Sequence, residues 1–481
     1  MGELVLGLDQ GTSSTRCVVL DGALRERASC SVAVASSFPR PGLVEQDPEE
    51  LAASAERALA GALAQAGAKP RDVAALGLAN QTETFVVWER ATGRAIHPAI
   101  VWQDRRTDAA CAALAQHAGF VRERTGLELD ATFPATKLGW LLDHVPGARA
   151  GAEAGRLAYG DVAGWLLQRL GGVHVTDAGN AGRSLLCALG GRDWDDALLE
   201  LFGVPRALLP PVVDSDAIDA TIGSVPVRAA AGDQPASLFG LRCWAPGTAK
   251  ATLGTGAFVL AQAGAAPPAA PAGILASCAW RRDGETCFAL EGFVPTAGAA
   301  LDWFGRLGAL PAGPELDALL ASAEPGVVCV PALQGLGSPS WDAGARGALL
   351  GLSLGTTRAD VARAVVDGVL HQVADAIEAM ASAARLATLR VDGGLARSNW
   401  IAQRLADLAG LRVERTARAD ATALGAAALA GLAAGVWSRP DDLPDVPVDL
   451  VAEPSLTPAA RAAERERWAE ARQLVAGWRG H

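Results

Sequence analysis

The acids, hydroxyls and glycines of Leu4-Val5-Leu6-Gly7-Leu8-Asp9-Gln10-Gly11-Thr12-Ser13-Ser14-Thr15-Arg16 carry the strongest chemical signal in the chain. Two short apolar runs flank a polar Gly/Thr/Ser turn, and an acid closes the first run, which predicts a hairpin. Backbone N–H groups and hydroxyls at such a turn converge on one point, where a phosphate oxygen fits. Asp9 stands ready for a phosphate-bound metal ion, and Arg16 for neutralising charge. The run Lys250-Ala251-Thr252-Leu253-Gly254-Thr255-Gly256-Ala257-Phe258-Val259-Leu260 repeats the idea in mid-chain. Two copies point to two related halves closing on one nucleotide.

A candidate base lies in Ala231-Gly232-Asp233-Gln234-Pro235. Pro235 sits where a helix begins, so Asp233 falls at or just before its N-terminus, and the helix dipole is expected to keep the carboxylate ionised. A base that accepts a hydroxyl proton late in phosphoryl transfer needs this position more than a raised pKa. An ordinary helix cap would use the same residue.

Asn80-Gln81-Thr82-Glu83 and Val101-Trp102-Gln103-Asp104 each follow an apolar strand. Polar groups beside an indole suit a polyol, whose C–H edges stack while its hydroxyls seek partners. Strand-end loops with a core tryptophan are the plain alternative. In Val391-Asp392-Gly393-Gly394-Leu395 a strand runs into a Gly-Gly turn, where a flat ring can approach the backbone. No GxxxxGK[S/T] loop and no His-Arg-Asp loop occurs, so backbone amides, hydroxyls and helix ends must grip any nucleotide.

The elements that position these residues follow from composition and pattern. At 481 residues the chain fits two or three domains. A net charge of −11 argues against charge-driven binding to nucleic acid or to a membrane surface, though not against an anion in a locally basic pocket. Only three of the basic residues are lysines (Lys69, Lys137, Lys250), a mark of genome composition. The eight cysteines form no CxxC pair, which suits reduced thiols in the cytoplasm and no zinc site. Asp9 interrupts the first apolar run, so no signal peptide is expected.

Pro48 predicts a helix reaching Ala66, and Val73–Leu78 a strand. Phe133 to His144 reads as a structural amphipathic helix. Ala421 to Ser438 is uncharged but rich in Ala and Gly, so a close-packed buried helix is expected. Helices are also expected from Ala359 to about Ala384 and over 457–479, with a loop from Ala263 to Gly273. Alternating strands and helices indicate an α/β fold, with a domain boundary near Cys243 to Gly247.

Taken in order, Asp9-Gln10-Gly11-Thr12, Ile100-Val101-Trp102-Gln103, Gly232-Asp233-Gln234, Gly254-Thr255-Gly256, Gly347-Ala348-Leu349-Leu350-Gly351 and Val391-Asp392-Gly393-Gly394 resemble the FGGY carbohydrate kinases, glycerol kinase branch. The resemblance runs from Leu4 to Trp437. It implies two actin-like, ribonuclease-H-like domains with an active-site cleft between them. Residues 1–243 would hold the acceptor and the base, and residues 244–481 would hold ATP. It also implies transfer of the γ-phosphoryl group of ATP to a terminal hydroxyl, with Mg²⁺ bridging phosphates. By position, Asp233 would be the base and Asp9 would lie near the metal. Thr12, Ser13, Ser14, Arg16 and Thr255 would lie near phosphates, Gly298 and Gly394 match nucleotide-contacting glycines, and Ser398 stands at a nucleotide-contact position where the family commonly has Asn, with Asn399 adjacent. Glu83, Trp102, Asp233, Gln234 and Phe258 match the polyol-contacting set. Thr82 stands where that branch carries Arg, and Thr132 where it carries Tyr. Both changes remove bulk and a donor, so a larger polyol or a pentulose competes with glycerol as acceptor. A silent sugar-responsive regulator and a chaperone-like ATPase are the readings from other classes, and a homodimer is compatible with all of these.

Overall fold

Strand Leu4–Gln10 pairs antiparallel with Ser14–Leu20, placing Asp9 opposite Arg16, and Ser14–Leu20 pairs in turn with Glu26–Ala33. On its other side Leu4–Gln10 lies parallel to Val73–Asn80, which lies parallel to Val225–Gly232. Gln10 stands opposite Asn80, and Asn80 opposite Gly232. Asp9, the loop after Asn80, and Asp233 therefore leave the sheet along one edge. Carboxyl ends of parallel strands are where open α/β sheets bind ligands.

The computed structural model describes residues 4–308, 310–311, 313–417, 420–476 and 478. Its second half repeats the plan. Strands Thr248–Leu253, Ala257–Gly264 and Glu285–Val294 form an antiparallel meander. Thr388–Asp392 and Arg412–Thr416 continue it in parallel, with Thr252 opposite Asp392. Leu275–Arg282 and Val448–Ala452 occupy the edges. Each half is thus three antiparallel strands extended by two parallel ones, the duplication that the paired hairpins foretell.

Helix Pro48–Ala66 covers one face of the first sheet. Asp47 accepts the Glu49 N–H, Pro48 opens the first turn, and Gly67 closes the helix in the left-handed region. The opposite face is covered from the other half by Ala421–Ala433. This helix is apolar all round and so must be buried on every side. Small residues let it seat closely. A Cβ on Gly77 would lie 1.9 Å from the Ala426 carbonyl oxygen, and one on Gly425 would lie 1.8 Å from that of Ala236. Ala236 belongs to helix Asp233–Gly240, so the helix behind the candidate base rests on the second half of the chain.

The helix expected over 421–438 ends at Ala433, where Gly435 turns the chain with φ 75°. Arg358–Met380 ends before Ala384, and the segment 381–384 forms turns. Pro458–Ala476 is the last helix, and the expected extension to 479 reaches beyond the described residues. The segment Cys243 to Gly247 connects helix Asp233–Gly240 to strand Thr248–Leu253. Among the described residues no helix is long and apolar enough to cross a membrane.

Candidate active site

The loop after Asn80 turns sharply because Glu83 adopts a left-handed backbone, φ 64°. That conformation is unusual for a residue with a side chain, and it marks sites where geometry is imposed by function or packing. It points the Glu83 carboxylate into a cavity of about 200 Å³ beside Asp233 and Gln234. The first half supplies Thr12, Thr82, Glu83, Trp102, Thr132 and Asp233, and the second supplies Phe258, Leu275, Glu291, Phe293 and Trp341. Both halves of the chain therefore line this cavity.

Asp233 is the first residue of its helix, and Gly232 holds the cap position. Its carboxylate accepts the Gln234 backbone N–H at 2.8 Å and faces the Gln234 side-chain amide at 3.4 Å. Burial, then the charge of Glu83, push its pKa up to about 6, against the Gln234 N–H and the charge of Lys250, which pull it down. The carboxylate is half-buried at the cavity wall, where desolvation works against the helix-start position. Lys250 donates to the Gln234 Oε1, which turns the Gln234 amide N–H₂ toward Asp233. Burial pushes the Lys250 ammonium down from its ordinary range, against the pull of Asp392 and Asp233.

Glu83 is fixed by Arg183, whose Nε donates to it at 2.5 Å. The other two nitrogens of Arg183 reach Glu291 in the second half at 2.7 and 3.3 Å. All three side chains are buried. Arg183, Glu291 and Lys250 escape the sequence reading. Arg183 lies within Gly-Asn-Ala-Gly-Arg, which carries no periodic or motif signal, and its partners are distant in the chain.

Two of the expected acceptor contacts are already engaged. The Trp102 indole N–H donates to the Thr12 hydroxyl at 3.0 Å, which leaves its ring as the contact surface. The Thr132 hydroxyl donates to Asp130 at 2.6 Å, and Asp130 is held in turn by Arg105. Lys137 pins this wall by donating to the carbonyls of Thr132 and Val101 at 2.8 and 3.2 Å. Helix Pro134–His144, read as structural, thus also orders the loops that carry Thr132 and Trp102.

Asp9 lies close enough to Asp233 for their charges to interact. Burial, Asp420 and Asp233, in that order, raise its pKa well above the carboxylate range. Its Oδ1 is buried without a protein partner, as is that of Asp392. Thr12, Ser13 and Ser14 form the first hairpin turn, where the Gly11 N–H donates to the Ser14 carbonyl. Gln46 clamps the turn through the Thr12 carbonyl, and Gln81 ties Gln46 to Gln10. Arg16 pairs with Asp420 across the two halves at 2.8 Å, so a phosphate would compete with that carboxylate.

The second turn meets a helix start. The Ala297 and Ala299 N–H groups donate to the Thr255 carbonyl, and a Cβ on Gly298 would lie 2.7 Å from the Gly254 oxygen. Packing alone thus accounts for Gly298. A Cβ on Gly394 would meet nothing within 4 Å, so its surface is open to a flat ring. The Ser398 hydroxyl caps helix Asn399–Ala409 by accepting the Ile401 N–H, and it donates to Asp317.

Comparison with known proteins decides the family. The N-terminal domain of the FGGY family of carbohydrate kinases matches residues 4–240, and the C-terminal domain matches residues 249–434. The chain belongs to the FGGY family of carbohydrate kinases. The kinase is 46% identical to a glycerol kinase of Aromatoleum aromaticum, over 98% of this chain and 99% of that one. It is 44% identical to a glycerol kinase of Bordetella parapertussis, over 99% and 98%. A glycerol kinase structure from Plasmodium falciparum with ADP superposes with a TM-score of 0.92 at 25% identity, covering 98% of both chains. A xylulose kinase structure from Lactobacillus acidophilus shares the fold, with a TM-score of 0.89 at 21% identity and 99% of both chains. The enzyme is an ATP-dependent carbohydrate/polyol kinase, a phosphotransferase with an alcohol group as acceptor.

Proposed function

We propose that the enzyme transfers the γ-phosphoryl group of ATP to the terminal hydroxyl of a small polyol, with glycerol as reference acceptor and Asp233 as base. The convergence of Asp233, Gln234 and Glu83 on the cavity, with Asp9 within charge-interaction range of Asp233, carries this reading. Glu83, held by Arg183, accepts from one hydroxyl of a vicinal diol. Gln234, its amide oriented by Lys250, donates to the reacting oxygen. That oxygen attacks the γ-phosphorus, the bond to the β-bridging oxygen breaks, and the hydroxyl proton passes to Asp233. Phosphoryl transfer of this kind depends mainly on positioning and charge compensation. Apolar walls around the diol keep water from taking its place.

The backbone of the turns at Thr12 to Ser14 and at Thr255 would hold the phosphates, and the surface over Gly394 the base of the nucleotide. Asp9 fits a magnesium ion, because its orphaned buried oxygen lies among the like charges of Asp233 and Asp420. Among the described residues no three metal-binding side chains converge, so phosphate oxygens and water would complete the shell. When bound, the ion supplies charge neutralisation on the transferring group. Eight free cysteines suit a cytoplasmic enzyme.

Room beside the short side chains of Thr82 and Thr132 favours a second reading, an acceptor larger than glycerol. ADP release coupled to NADH oxidation tests the first. Asp233→Asn is expected to bind glycerol within a few-fold of the parent while kcat falls by roughly 10²–10⁴. Unchanged turnover in that variant removes Asp233 from its role.

A further inference from the structure

We propose that the acceptor is a 1,2-diol whose third carbon bears an apolar substituent, such as an ether-linked alkyl chain, and not a longer run of hydroxyls. The inference rests on the kinase reading above and specifies its substrate. The cavity lining is of two chemical kinds. Asp233, Gln234 and Glu83 lie close enough together to interact, enough to satisfy two hydroxyls. Much of the rest is apolar: Phe133, Phe258, Leu275, Phe293 and Trp341.

The polar tips near that wall are already used inside the protein. The Trp341 indole N–H donates to the Gly273 carbonyl at 2.8 Å, and that of Trp102 to Thr12 at 3.0 Å. The Thr132 hydroxyl is given to Asp130 at 2.6 Å. Arg183 gives three of its five N–H groups to Glu83 and Glu291, and its guanidinium lies over the Phe133 ring at 5.4 Å. Among the described residues lining the cavity, Thr82 alone has a side-chain hydroxyl with no protein hydrogen bond, and one hydroxyl cannot serve a polyol tail.

The balance of effects follows from these partners. Each tail hydroxyl buried without a partner weakens binding roughly fivefold to a hundredfold. Each methylene withdrawn from water strengthens it roughly fourfold. A hydroxylated tail therefore loses on this wall what an alkyl tail gains. The reaction is unchanged: the free terminal hydroxyl forms the new P–O bond, ADP leaves with the electron pair of the old one, and the proton goes to Asp233.

The purified full chain with ATP and Mg²⁺ is assayed for ADP release against glycerol, erythritol, xylulose, 3-methoxy-1,2-propanediol and 3-butoxy-1,2-propanediol. The butoxy diol is expected to exceed glycerol in kcat/KM by about tenfold or more, with the methoxy diol between them. Thr82→Arg, which puts a bulky charge at the wall, is expected to lower the butoxy-to-glycerol ratio about tenfold. Glycerol, erythritol or xylulose outperforming both ethers in the parent enzyme overturns the proposal and leaves the kinase reading intact. Turnover of none of the five overturns both. The comparison among acceptors in the parent enzyme decides the matter even if the variant fails to fold.

Discussion

Asp233 shows how one carboxylate is tuned by what surrounds it. Its helix-start position was legible, because Gly-Asp-Gln-Pro between an apolar strand and an apolar helix has few other readings. Its acidity was not, because burial depends on walls contributed by the other half and on Glu83, 150 residues away. A base with pKa about 6 predicts that kcat/KM falls roughly tenfold per unit as pH drops below 6. Stability moves in the opposite sense. The folded pKa lies above the ordinary 3.8, so the group favours the fold at low pH, and that contribution is lost as pH rises through about 6. Asp233→Asn removes the buried charge. The variant is expected to gain roughly 1–3 kcal/mol over the parent at pH 8 and almost nothing at pH 4, by urea denaturation at both. Equal stability at pH 8 would show that the carboxylate is solvated in the folded enzyme.

At the scale of elements, helix Ala421–Ala433 is the piece on which the site leans. Its burial was legible from eighteen uncharged residues rich in Ala and Gly, but its seat was not, because composition says nothing about which sheet receives it. It crosses to the first half and presses on Leu4–Gln10, Val73–Asn80 and Asp233–Gly240, the elements that carry Asp9, end in Asn80 and begin at Asp233. The contact is backbone to backbone at Gly77 and Gly425. A methyl group there has no rotamer to escape into, so the elements must separate. Gly77→Ala and Gly425→Ala are each expected to cost about 1–3 kcal/mol by thermal or urea melts. Because the shift reaches the strand ends and the helix of Asp233, kcat should fall along with stability. A Gly61→Ala control meets only the Cys30 side chain, and kcat should survive there. Loss of stability without loss of kcat at Gly425 would detach this helix from the site.

For the whole molecule, the duplicated plan was legible from two hairpins placed alike in each half, whereas the ties between halves were not. Those ties include ion pairs between residues with no common motif, among them Arg16 with Asp420, Arg281 with Asp214, and Arg183 with Glu291, which are 108 residues apart. Arg183 is the more consequential, since it binds Glu83 in its own half and Glu291 in the other. Replacing it with Met keeps much of the volume but leaves two buried carboxylates facing one another. Removing one member of a buried charge cluster typically costs about 3–5 kcal/mol. The sign of the pH dependence follows from the charge left behind. Burial already raises Glu291 above its ordinary value, and without Arg183 the main opposing charge is gone and only Lys250 remains, so the folded variant takes up a proton more readily than the unfolded chain. Its stability is retained at low pH and lost as pH rises, so the gap to the parent should widen from pH 5 to pH 8. Adding Glu291→Gln to Arg183→Met removes one of the opposed charges and is expected to recover part of the loss at pH 8 but little at pH 5. Recovery that is equal at the two pH values would mean that Arg183 acts through packing against Phe133, and that the halves are joined at the acceptor site by shape and not by charge.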